Sequence, residues 1–157
     1  MSGMPFPNCG ALRRSMSNPV SYEEYLEQNG SMTYTNVGRS MLPLLRQGRD
    51  LFILMKKGPE RCRVGDVVLY RAGEKYVLHR VVEVREDDYV ILGDNCIRRE
   101  FGISDEDIIG VMTGFVRGGK EHSVSDAGYR LYSAVWLRTE KPRVFLTRGR
   151  ARLRKYL

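Results

Sequence analysis

GDVVLYRAGEKYVLHRVVEV, residues 65–84, reads as two strands and a tight turn. Val67, Val68, Tyr70, Val77, Val81 and Val82 are β-branched or aromatic residues that favour extended backbone, and Ala72-Gly73 breaks the run between DVVLYR (66–71) and KYVLHRVVEV (75–84). A connection this short favours antiparallel pairing, because a parallel crossover needs a dozen residues or more. Outward from this hairpin, MTYTNV (32–37), LFILM (51–55), YVILG (89–93) and DIIGVMTGFV (107–116) repeat the pattern, separated by Arg46-Gln47-Gly48, Lys57-Gly58-Pro59 and Glu86-Asp87-Asp88. Upstream, SYEEYLEQNG (21–30) places a capping serine three residues before Glu24 and ends in Asn-Gly, which predicts a short helix. The expected architecture is a mainly β fold of antiparallel strands with a short N-terminal helix and a helical, basic C-terminal tail. The chain divides accordingly into an N-terminal segment (1–30), a β domain (31–120) and a C-terminal extension (121–157).

Composition narrows the function classes. With 157 residues, 42% hydrophobic and 29% charged, the chain can bury a core, which excludes a wholly disordered or fibrous protein. The longest aliphatic run, Leu51 to Met55, falls far short of the roughly 20 residues that span a bilayer. MSGMPFPNCGALRRS lacks the apolar stretch of a secretory signal, so a soluble, cytoplasmic protein is expected. Cys9, Cys62 and Cys96 are odd in number and form no C-x-x-C clip, which favours reduced thiols. With only His79 and His122 beside them, they lack metal-ligand spacing, and neither a metal nor an organic cofactor is expected.

Charge is concentrated at one end. From Arg130 to Leu157 there are nine Lys/Arg against a single acid, Glu140, in a chain whose formal net charge is +7. Blocks like this are mostly solvated faces and less often seats for an anionic partner. Within GYRLYSAVWLR (128–138), Leu131, Tyr132, Val135 and Trp136 fall at helical spacing, which predicts a helix docked on the core; Pro142 follows, and Gly149 weakens the remainder as a continuous helix. The arginines make the tail a candidate contact for a membrane surface, peripheral rather than spanning. Nucleic acid is not expected as a partner.

Three short motifs carry chemistry. In Gly38-Arg39-Ser40-Met41-Leu42-Pro43 a serine follows a strand, between a glycine and a proline, although serines are common in such turns. In Tyr76-Val77-Leu78-His79-Arg80-Val81-Val82 a histidine shares a strand face with Val77 and Val81; a lone strand histidine is more often structural than basic. In Leu92-Gly93-Asp94-Asn95 a strand turns at an aspartate that ordinarily only caps such a turn.

In this order, with Gly65-Asp66-Val67-Val68 between the first two, the motifs resemble the catalytic boxes of the signal-peptidase and LexA-like serine peptidases across about half the chain, Gly38 to Gly118. The branch with histidine as base is the one His79 resembles. The resemblance implies a serine endopeptidase that cleaves an extended leader or precursor peptide, with Ser40 as nucleophile, His79 as general base and Asp94 as the orienting carboxylate; Glu100, Asp105 and Asp107 are open as further acids. Such a base is required because a serine hydroxyl is a poor nucleophile until its proton is taken, and Arg80 cannot serve while it stays protonated. Two alternatives are a LexA-like self-cleaving regulator, for which Cys9-Gly10 resembles the bond cut, and a catalytically inactive relative that only holds peptide.

Overall fold

A computed structural model describes residues 21–153. Helix α1, Tyr22–Asn29, begins where the Ser21 hydroxyl accepts the Glu24 amide and the Glu24 carboxylate accepts the Ser21 amide, so two helix-end donors are satisfied reciprocally. Gly30 closes the helix in left-handed backbone at φ 73°, and the helix buries Leu26.

Eight strands follow: β1 Ser31–Thr35, β2 Asp50–Lys56, β3 Val67–Ala72, β4 Lys75–Val84, β5 Tyr89–Leu92, β6 Glu100–Ile103, β7 Ile108–Arg117 and β8 Lys120–Ser123. They form one sheet in the order β1-β2-β7-β3-β4-β5-β6, with β8 also on β7, and the pairings are antiparallel. The mainly β architecture read from the sequence is therefore present. The strands it passed over, β6 (EFGI) and β8 (KEHS), are short and poor in β-branched residues; their neighbours hold them extended.

The central hairpin is buried on both faces. Val68 lies opposite His79 and Leu69 opposite Leu78. Alternation sends Val67, Leu69, Tyr76 and Leu78 into one core with Leu26, Met41, Leu45 and Phe52. The alternate residues Val68, Tyr70, Val77 and Val81 pack with Tyr89 and Ile91 in a second.

Helices α2, Ala127–Arg138, and α3, Glu140–Leu153, end the described chain, joined by Thr139. The expected docked helix forms, with Tyr132 and Trp136 of the expected stripe inward and Leu131 and Val135 outward. Tyr129, Tyr132, Ser133 and Trp136 turn toward the sheet, while Leu131 and Val135 are exposed. The aromatic residues win the buried side because their polar tips meet buried polar partners there. Nor does Gly149 interrupt α3, since a cost of about 1 kcal/mol does not break a helix anchored elsewhere. Pro142 sits in its first turn, where an amide is not needed.

The expectation of reduced thiols also fails at one position. Cys96 is disulfide-bonded and Cys62 is free and buried. An odd count excludes complete pairing, not a single bond. Among the described residues, no helix is long and apolar enough to cross a membrane.

Candidate active site

Ser40 lies in the connection from β1 to β2, a loop held by its own bonds. The buried Asn36 donates to the Leu45 carbonyl at 3.3 Å, the Gly38 amide donates to Gln47 Oε1 at 3.0 Å, and the Leu45 amide donates to the Met41 carbonyl at 2.8 Å. Gly38 has φ 87°, a conformation that β-carbon-bearing residues rarely adopt. Met41 and Leu44 face the core and anchor the turn, whereas Leu42 lines a surface cleft. Asp50 secures the far end. Its carboxylate accepts the Arg46 amide and the Arg49 and Arg117 guanidinium groups. Burial opposes its charge, but these donors hold the carboxyl well below the usual carboxylate range.

His79 lies in the middle of β4, on the face it shares with Val77 and Val81, and is 1% exposed. Its Nδ1 is 3.0 Å from Glu100 Oε1 on β6, and the Tyr70 hydroxyl on β3 donates to Glu100 Oε2 at 2.7 Å. Burial works against the Glu100 charge, yet the bonds from His79 and Tyr70 outweigh it and hold this carboxyl below its ordinary value. Burial first, and the bond to Glu100 second, push the Tyr70 phenol far up, so it remains a donor. An ionised Glu100 selects the tautomer with hydrogen on Nδ1, which leaves the lone pair on Nε2. Among the described residues, Nε2 of His79 is the buried side-chain atom with no hydrogen-bond partner.

Gly93, at the end of β5, lies directly over that nitrogen. A β-carbon there would stand 2.8 Å from Nε2 and 2.7 Å from Cys96 Sγ. Two residues on, the Asn95 amide donates to the Ser40 carbonyl at 2.7 Å and Asn95 Nδ2 donates to the Arg39 carbonyl at 3.1 Å. The Gly93-Asp94-Asn95 turn thus touches the imidazole at one end and the serine turn at the other. Ser40 Oγ and His79 Nε2 are not themselves hydrogen-bonded.

Asp94 differs from the expectation. Its carboxylate accepts Arg80 Nε at 2.7 Å and Arg80 Nη2 at 2.8 Å, together with the Tyr132 hydroxyl at 2.8 Å. Arg80 alternates with His79 along β4 and so points to the opposite face. Its remaining nitrogen donates to the Gly65 carbonyl and Ser133 Oγ, both at 2.9 Å. Asp94 is therefore the anchor of α2, and the acid on the imidazole is Glu100. Of the other acids left open, Asp105 accepts the Tyr89 hydroxyl and pairs with Lys57 and Arg61, and Asp107 accepts the Ser104 amide and hydroxyl. Cys9-Gly10 lies outside the described residues.

Beside the serine turn a cleft of about 380 Å³ opens between Leu42, Pro43 and Ile97 on one side and Trp136, Leu146 and Arg150 on the other. The chain matches no known family model, no curated protein and no solved structure.

Proposed function

We propose that the protein is a serine endopeptidase acting on an extended leader or precursor peptide, with Ser40 as nucleophile, His79 as base and Glu100 as the carboxylate that orients it. The observation that carries this reading is the His79–Glu100 pair at 3.0 Å, which leaves Nε2 buried, unpartnered and beside the turn bonded to Ser40. A general base must keep a lone pair free to take a proton, and in this arrangement no protein group occupies Nε2 among the described residues.

In the proposed reaction Nε2 takes the Ser40 proton as Oγ attacks the scissile carbonyl, and Glu100 stabilises the imidazolium that results. The Ser40 amide donates to the oxyanion. Collapse expels the amine, protonated by His79, and leaves an acyl-serine that water hydrolyses by the same route. Serine–base contacts are often long before substrate binds and tighten in the complex. Strand β1 ends the sheet and runs into the Ser40 loop, so a peptide added along it as a further strand is led toward that loop.

The test is digestion of a peptide library followed by mass spectrometry. Ser40→Ala and His79→Ala are each expected to abolish turnover while circular dichroism is retained. Cleavage by Ser40→Ala at the wild-type rate would overturn the proposal.

A further inference from the structure

Helices α2 and α3 carry apolar side chains that the fold leaves exposed. Leu131 and Val135, one turn apart on α2, are 68% and 49% exposed; Phe145 and Leu146 on α3 are 77% and 62% exposed. Burying these four side chains in the domain was open to the sequence, yet the face toward the sheet is occupied by Tyr129, Tyr132 and Trp136 instead. Arg130, Arg138, Lys141, Arg148 and Arg150 on the same two helices are all exposed. The only acid there, Glu140, is buried and held by Arg99 through two bonds of 2.7 and 2.8 Å, so it offsets none of that surface charge.

We infer that these two helices dock on an anionic lipid bilayer, lying in the headgroup region with Leu131, Val135, Phe145 and Leu146 inserted and the arginines on lipid phosphates. Exposed apolar side chains flanked by arginine and lysine are what an interfacial helix requires: the apolar part supplies burial, the cations supply attraction. A second copy of the chain is a poorer occupant, because pairing two such faces would bring like charges together in a low-dielectric contact. Duplex nucleic acid would engage the arginines and leave Phe145 and Leu146 in water. Leu146 and Arg150 also wall the cleft beside Leu42 and Pro43, so the bilayer-facing helix adjoins the serine turn. The inference stands whether or not Ser40 is catalytic.

Co-sedimentation of the full chain with vesicles tests it. The protein is expected to pellet with phosphatidylcholine–phosphatidylglycerol vesicles, not with phosphatidylcholine alone, and to be released near 1 M salt, where screening falls to about 3 Å. The double variant F145S/L146S, which changes no charge and no buried residue, is expected to partition roughly tenfold more weakly with an unchanged thermal melt. No pelleting with the anionic vesicles, or equal pelleting of the variant, overturns the inference. So does a wild-type dimer in solution that the variant dissociates, or retention by duplex DNA without retention by vesicles.

Discussion

At the scale of single residues, the arrangement around His79 separates two acids that the sequence places only six positions apart. Glu100 faces the imidazole and Asp94 faces a guanidinium, so their amide variants are expected to fail in different ways. Glu100→Gln keeps the size and much of the bonding but cannot stabilise an imidazolium. Steady-state kinetics are expected to show kcat lowered by about 10²–10⁴-fold with KM little changed and the fold retained. A variant with wild-type kcat would remove Glu100 from the site. Gly93 is a second point of sensitivity. In Gly93→Ala the new methyl meets the buried imidazole and Cys96 Sγ below 3.0 Å, and neither is the loose end of a flexible chain. A destabilisation of about 1–3 kcal/mol is expected by denaturant unfolding, together with loss of turnover as the ring is displaced.

At the scale of elements, α2 is fastened by a buried ion pair rather than by an apolar stripe. Arg80 and Asp94 are each 1% exposed at the side chain, joined bidentately, and capped by Tyr132, Ser133 and the Gly65 carbonyl. Asp94→Ala orphans a buried guanidinium and is expected to cost about 3–5 kcal/mol. Arg80→Met combined with Asp94→Leu is expected to recover part of that loss, because neither charge is then left unpaired. Chemical denaturation of both single variants and the double variant checks both statements, and a double loss equal to the sum of the two single losses would mean that the pair is not coupled. The Asp94 carbonyl also accepts Trp136 Nε1 and Arg143 Nη1, each at 3.1 Å, which ties both helices to the turn that touches the serine loop.

At the scale of the whole molecule, acid stability follows from carboxylates whose folded state favours the charge. Asp50 and Glu100 are both held below their ordinary values. A lowered folded value means that the unfolded chain binds protons first as the pH falls. The contribution is complete above the unfolded carboxylate range and is lost progressively as the pH drops through the lower folded value. Stability is therefore expected to hold from neutral pH to about 5 and then fall steeply. Asp50→Asn is expected to lower stability at pH 7 by roughly 1–3 kcal/mol and to flatten the acid limb, as read from urea midpoints across pH. An unchanged acid limb would show that Asp50 is not a principal titrating group. Burial likewise pushes the Cys62 thiol up to about 11, so alkylation is expected only on unfolding.

What the sequence by itself determined was whatever depends on neighbours along the chain. The Ser21–Glu24 cap, the β3–β4 hairpin with its two-residue turn, and the face on which His79 sits follow from spacing and alternation, which act over a few residues. Only the tertiary structure decided which acid meets the imidazole, which face of α2 is buried, and that Cys96 is bonded. Glu100 lies on β6, a strand that exists only because β5 pairs with it, and no local pattern says that its side chain will reach across to Nδ1 on β4. Asp94 reads locally as a turn cap and becomes a partner for the base only through the resemblance, yet the opposite orientation of adjacent residues on β4 gives it to Arg80. Such choices depend on strand register and on competition among buried polar groups for partners, and both are properties of the assembled sheet.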